Sequence, residues 1–321
     1  GTYEFEDVVD DDGLTDASYP IKVKVTIAGD DVTVDFTGSA QQATGSINCT
    51  LNIAKSCVYY AVIAGIAGDI PANSGCYKPI TLIAPYGSIV NAAYPAAVVN
   101  RIIVGHRLVN AIMGALSKAF PDRIPAAYYG SSFALLLENV NRNGEKRVYL
   151  EGDIGGWGAE PRSDGASALS CGLHNLNTVP LEMIENQFGV TFMRYALRPD
   201  SGGTGKYRGG LGTIRDIRID RPGAKISSSG DRFIHGPYGL RGGGPGGTAR
   251  LTVFRGDGTS RPLKSKSVNI ALEAGDRLVL ETAGGGGYGN PAERPHEAIR
   301  DDIRKGYVSA ERAKADYGVT V

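Results

Sequence analysis

Residues 153–159, Asp153-Ile154-Gly155-Gly156-Trp157-Gly158-Ala159, hold the densest chemistry in the chain. A carboxylate leads into three glycines that frame Trp157, the single tryptophan of the sequence. Glycines at that density let backbone amides come close to a ligand, and an indole can wall an apolar pocket. Asp164 and Gly165 follow in a polar loop, and then Asn175, Asn177, Pro180, Glu182 and Glu185. Asp153 and Asp164 are the candidate catalytic carboxylates. Gly155, Gly156, Trp157, Gly158 and Asn175 are candidate substrate-binding residues. The same string reads equally as a buried tryptophan packed under a loop. Asparagines form a second set: Asn48, Asn52, Asn73, Asn91 and Asn100. An amide side chain donates and accepts at once, which suits a lactam or urea-type ring. Asn73 and Asn91 join the candidate binding residues on that ground, although asparagine is also an ordinary turn residue.

Other motifs fail on context. Gly242-x-Gly244-x-x-Gly247 and Gly284-x-Gly286-x-x-Gly289 match the dinucleotide pattern by letter. A strand follows the first and Asn290-Pro291 the second, so neither offers a helix N-terminus to a pyrophosphate. Tight turns with positive φ are the plainer reading of both. In residues 200–207, Asp200 stands where a P-loop needs its first glycine, and Tyr207 replaces the magnesium-binding hydroxyl. His106, His174, His235 and His296 are widely spaced with no metal-ligand pattern, and each reads as a structural histidine. No Gly-x-Ser-x-Gly elbow occurs. The chain is expected to bind no metal and no nucleotide itself.

The elements that must position these residues show in composition and periodicity. The chain has 321 residues, of which 45 are glycine, roughly twice average usage. Hydrophobic residues make up 42% of it, enough for a real core. Thirty-four basic residues balance 34 acidic ones, so no electrostatic case exists for nucleic acid or an anionic membrane. The most apolar stretch, Ala96 to Leu116, is broken by Asn100, Arg101, His106, Arg107 and Asn110, too polar for a membrane span. Cys49, Cys57, Cys76 and Cys171 follow no paired spacing, as expected of free thiols in the cytoplasm.

Alternation in Ile21–Ile27 and Val32–Phe36 predicts a hairpin, and a second joins Phe133–Glu138 to Lys146–Glu151. Ile53–Ala67 and Ala96–Phe120 read as buried helices. Twenty-five of the glycines lie beyond residue 200, where Arg250–Phe254, Ser267–Leu272 and Asp276–Thr282 read as short strands. Pro295–Lys305 and a segment capped by Ser309 form a helical tail. The expected fold is α+β: a mixed α/β part with buried helices over 1–199, then a glycine-rich β part with C-terminal helices over 200–321, packed into the same domain.

Taken in order, several strings resemble the hydantoinase B/oxoprolinase family. They are Asp35-Phe36-Thr37-Gly38-Ser39, Gly45-Ser46-Ile47-Asn48, residues 69–75, Pro85 to Asn91, Pro95-Ala96-Ala97-Val98, Gly155 to Ala159 with Asp164-Gly165, Asp200-Ser201-Gly202-Gly203, Tyr207 to Gly210, and Gly284 to Pro291. Ala283 departs from the family, which usually has proline there. The resemblance covers the C-terminal part of the family's B subunits. It implies an ATP-dependent hydrolase that opens a hydantoin, 5-oxoproline or similar lactam. The alternatives are a subunit of a ketone carboxylase of acetone or acetophenone type, or a noncatalytic scaffold portion of such a complex. The implied partners are an A-type ATPase subunit, which carries ATP with magnesium, and the N-terminal part of the B subunit. A divalent manganese or zinc ion would sit in that N-terminal part. The chain opens at Gly1 with no initiator methionine, which reads as processing or as one portion of a longer polypeptide.

Overall fold

The computed structural model describes residues 1–321 except Asp69, Cys171 and Val321, and without the side chain of Ala67. Four strands form the first layer: β1 (Thr2–Val9), β2 (Tyr19–Ala28), β3 (Asp31–Asp35) and β4 (Ile80–Ile83), hydrogen-bonded in that order. The β1-β2 and β2-β3 pairs are antiparallel, and β4 runs parallel to β3. Period-two alternation buries Ile21, Val23 and Val25 while Lys22 and Lys24 stay outside. Two helices cover the apolar face: α1 (Leu51–Val62), which continues as one π-helical turn over Ile63–Ala67, and α2 (Arg101–Ala119). Helix α2 approaches β1 so closely that a Cβ on Gly114 would lie 2.6 Å from the Phe5 ring. It begins five residues later than the pattern at Ala96 predicts. Residues 97–100 are tied to the 43–48 loop instead: Asn48 Nδ2 donates to the Ala97 carbonyl, and Asn100 Nδ2 to Ser46 Oγ.

The second layer is a β-sandwich. Strands β5 (Phe133–Val140) and β6 (Lys146–Asp153) precede α3 (Leu181–Phe188) and β7 (Val190–Leu197). Then come β8 (Thr213–Ile219), β9 (Ala224–Ser229), β10 (Arg250–Phe254), β11 (Ser260–Leu263), β12 (Lys266–Leu272) and β13 (Arg277–Glu281). One antiparallel sheet has the order β12-β9-β5-β6 and the other β11-β10-β13-β8-β7. Leu135, Leu137 and Ile226 from the first share a core with Ile217, Val253 and Leu280 from the second. Both sheets take strands from either side of Pro199, so the rise in glycine density there coincides with no gap between packing units. Helices α4 (His296–Arg304) and α5 (Ala310–Tyr317) close the chain, with Ser309 Oγ capping α5 through the Arg312 amide.

A buried charge network joins the first sheet to the sandwich. Arg107 of α2 is fully buried; Nε donates to the Val8 carbonyl, one terminal nitrogen to the Gly130 carbonyl, and the other to Asp231. Arg232 grips Asp7 with two bonds of 3.0 and 2.7 Å. The Asp10 carboxylate accepts the amides of Phe233, Ile234 and His235. Arg107 and Arg232 each pair with a buried aspartate, so removal of one partner strands the other in the interior.

The glycine excess builds a third element. Extended segments 155–159, 201–212, 236–247 and 284–289 lie side by side and bond through their backbones. The Gly285 amide donates to Gly210, Gly203 to Gly285, Gly287 to Gly244, and Gly286 to Ala127, at 2.8–2.9 Å. Segment 284–289 is the centre, with backbone neighbours on several sides. Here the structure corrects the reading of these glycines as positive-φ turns. Gly242 and Gly289 do have positive φ, but Gly284 to Gly287 do not. What they lack space for is a side chain: a Cβ on Gly284 would lie 1.8 Å from the Ser201 carbonyl oxygen, and one on Gly285 would lie 1.8 Å from that of Trp157.

Candidate functional site

Trp157 projects from this glycine strip, and the strip fixes it. Its amide donates to the Ala166 carbonyl at 2.9 Å, and its carbonyl accepts from Gly210 at 2.8 Å. The amides of Gly156 and Ala159 are likewise donated inward, to Ala283 and Gly286. These donors hold the strip together. Of the groups that the sequence places at a ligand here, the indole is the one with a side chain. Its Nε1 donates to the Ser170 carbonyl at 3.1 Å, and its ring centroid lies 5.7 Å from that of Tyr128.

Tyr128 leads to a pair of histidines that sequence spacing does not bring together. The Tyr128 hydroxyl lies 3.0 Å from His106 Nδ1, and His106 Nε2 lies 3.3 Å from His174 Nε2. The two imidazoles stand edge to face at 84°, with centroids 4.7 Å apart. Helix α2 supplies His106, which is fully buried. His174 comes from the 172–180 stretch, which has no helix or strand, ahead of α3. That stretch lies against the helices and Tyr128. A Cβ on Gly172 would lie 3.2 Å from the Tyr128 hydroxyl and 3.4 Å from the Tyr60 ring, and Leu173 packs beside Gly105 and Cys57. Burial, reinforced by His174 and by the Arg107 and Arg232 guanidiniums, holds His106 well below the ordinary imidazole value. Burial also lowers His174. Both rings are therefore neutral bases at pH 7.

The predicted residues fall in several places. Asp153 ends β6 inside the sandwich, completely buried, with Arg215 Nε 2.8 Å from Oδ1 and Glu151 on the other side of the same guanidinium. Burial pushes the Asp153 carboxyl up to about 7, with Glu151 adding to the rise and Arg215 opposing it. Asp164 accepts the Arg208 amide at 2.7 Å and two bonds from Arg294, at 2.7 and 2.8 Å. Burial raises its carboxyl, but the Arg294 bonds and charge outweigh that and leave it below the usual carboxylate range. Arg294 also binds Asp302, so Asp164 anchors the C-terminal helices. Asn73 Oδ1 accepts the Gly75 amide, and Asn91 Nδ2 donates to the Ala84 carbonyl; both bonds lie within their own loops beside β4. Asn175 is exposed and adjoins His174. The structure thus links Trp157 of the Gly155–Gly158 string to Tyr128, His106 and His174, and Asn175 follows His174 in the chain.

Among the described residues, no cluster of three or more His, Cys, Asp or Glu side chains could take a metal ion. In the 200–207 segment Lys206, Tyr207 and Gly203 donate their amides to Gly289, Tyr288 and Gly285. Among the described residues, no helix is long and apolar enough to cross a membrane.

Comparison with known proteins places this architecture. The sequence profile of the hydantoinase B/oxoprolinase family matches residues 1–291. The B subunit of a putative D-/L-hydantoinase from Pseudomonas sp. (strain NS671) is 31% identical over 325 residues, 97% of this chain and 54% of that protein. The crystal structure of an ATP-dependent caprolactamase from Pseudomonas jessenii has a TM-score of 0.88 at 26% identity, covering 100% of this chain and 57% of that one. A nucleotide-free acetone carboxylase has a TM-score of 0.86 at 19% identity, covering 100% and 49%, a likeness of fold. The chain spans about half the length of the curated relatives it matches first.

Proposed function

We propose, from the premise that the chain belongs to the hydantoinase B/oxoprolinase family, that it is the C-terminal portion of a B-type subunit that opens a cyclic amide after ATP-dependent activation. The observation that carries this reading is the likeness to the ATP-dependent caprolactamase, at 26% identity over the whole chain. A lactam, hydantoin or 5-oxoproline ring would lie on the Trp157 indole, where an aromatic face suits a flat amide. ATP with magnesium would belong on an A-type ATPase partner, since the 200–207 segment lacks the first glycine and the hydroxyl of a P-loop and the Gly203, Lys206 and Tyr207 amides are donated within the strip. A divalent ion, manganese or zinc, belongs to the N-terminal part of the B subunit. Asn175 would contact the ring beside His174. Asn73 and Asn91 would shape the loops on the β4 side. Asp153 and Asp164, each held by arginine, act as positioning carboxylates: the first fixes the end of β6 two residues before Gly155, and the second fixes the C-terminal helices on the strip. Unpaired Cys49, Cys57 and Cys76 support a reducing, cytoplasmic setting.

The test is reconstitution of the full subunit with its ATPase partner. ATP-dependent opening of caprolactam, hydantoin and 5-oxoproline is measured beside bicarbonate-dependent ATP hydrolysis with acetone or acetophenone. Opening of one cyclic amide, reduced at least about tenfold in kcat/KM by Trp157→Ala, is expected. Turnover of ketone alone would replace the reading with carboxylation, and wild-type turnover by Trp157→Ala would remove the indole from the site.

A further inference from the structure

We infer that His174, held in place by His106 and Tyr128, is the group that moves the proton in the ring-opening step. The inference rests on the reading that the chain opens cyclic amides. It adds a residue that neither motif nor spacing identifies.

Three observations carry it. The first is an open valence. His174 Nε2 is engaged by His106, whereas His174 Nδ1 is buried with no hydrogen-bond partner among the described residues. An orphaned buried polar atom is destabilising, a penalty that an apolar residue of similar size would avoid. A substrate water or amide nitrogen at Nδ1 would satisfy that atom. The second is the support. His106 is fully buried on a 19-residue helix and is itself held by the Tyr128 hydroxyl at 3.0 Å. A chain of two contacts therefore sets the orientation of His174, as second partners orient the histidines of catalytic triads. The third is place. Trp157 donates to Ser170, four residues before His174 in the same stretch, and its ring adjoins Tyr128. A ring on the indole lies next to this stretch.

The step balances. His174 Nδ1 takes a proton from the attacking water as its oxygen forms the new bond to the carbonyl carbon. The resulting charge is shared with His106 across the Nε2–Nε2 contact. With the carbonyl oxygen carrying the phosphoryl group from ATP, the C–N bond then breaks and the proton passes to the leaving nitrogen, giving an amine and an acyl phosphate, which a second water hydrolyses to a carboxylate and inorganic phosphate. The facing charged groups are the Arg107 and Arg232 guanidiniums, which disfavour a protonated His106, so the charge rests mainly on His174. Two imidazole nitrogens 3.3 Å apart also suit a shared tetrahedral zinc ion, whose bonds of about 2.0–2.1 Å would separate them by about 3.3–3.4 Å. Further ligands are lacking among the described residues, so proton sharing is the better account.

The experiment uses the reconstituted complex with the cyclic amide that the wild type opens. His174→Gln should lower kcat by about 10²–10⁴ with KM within threefold of wild type. Its melting temperature should stay within a few degrees, and added imidazole should restore part of the activity of His174→Ala. The wild-type kcat should fall only below about pH 6.5, and that limb should vanish in His174→Gln. Wild-type kcat in His174→Gln, or an effect confined to KM, would overturn the inference. So would stoichiometric zinc on the wild-type complex that is lost in His106→Gln and His174→Gln. A wild-type complex that opens none of the cyclic amides overturns the functional reading instead.

Discussion

Gly285→Ala probes the glycine strip at its most crowded point. The new Cβ would lie 1.8 Å from the Trp157 carbonyl oxygen, 2.2 Å from its carbon and 2.6 Å from the Gly158 nitrogen. All three are backbone atoms, so no rotamer change relieves the clash. Contact at ordinary radii needs a retreat of more than about 1 Å. If Trp157 retreats, its 2.8 Å bond from the Gly210 amide passes beyond hydrogen-bonding range. If Gly285 retreats, its own bonds to Gly210 and from Gly203, 2.9 and 2.8 Å, are lost instead. The first retreat strands two backbone groups and the second four, at about 1–3 kcal/mol each, so by the cheaper route a destabilisation of about 2–6 kcal/mol is expected. In a chain of this size that is a fall of about 3–9 °C in melting temperature, read by circular dichroism or calorimetry. Gly256→Ala is the control. Its Cβ meets nothing within 4 Å and its φ is not positive, so it should stay within about 1 kcal/mol of wild type. A Gly285→Ala protein that melts with the wild type would refute the close-packed account of the strip.

Two further predictions concern charge. Asp12 is drawn up by burial, but the amides of Thr15, Gly45 and Leu14 outweigh that and bring its carboxyl down to about 2. A carboxyl lowered on folding stabilises above its unfolded value near 4 and loses that contribution as pH falls towards 2. Urea midpoints of the wild type should therefore drop between pH 4 and pH 2, and Asp12→Asn should flatten that slope; equal slopes would count against it. Arg107→Met removes three buried bonds and strands Asp231, so about 3–5 kcal/mol should be lost at neutral pH, with Asp231→Asn in the same background recovering part of it. A simple sum of the two single losses would show that the pair is not coupled.

The parts of this fold that could be read from residues are those with a side-chain period. Ile21 to Ile27 alternate because one face of β2 is buried, and Ser309 announces α5 because its hydroxyl caps it. Strand β1 escapes that reading, since its inner positions are half-covered Tyr3 and Phe5 among acidic neighbours. Strand β4 is short and pairs in parallel with a partner far away in sequence, for which no local turn exists. The glycine strip is illegible for a different reason. Its packing unit is the peptide group, so the letters record only that side chains are excluded, and a turn, a phosphate loop and a packed strip look alike. His106 and His174 lie 68 residues apart, and nothing in a string of single histidines says that two of them share a contact. These two blind spots are connected. A strip that spends many of its amides on one another holds position well, and its glycines bring no side chains to a substrate. Beside the Trp157 indole, the titratable pair His106 and His174 comes from elements that flank the strip, α2 and the stretch before α3, with Tyr128 between the pair and the indole.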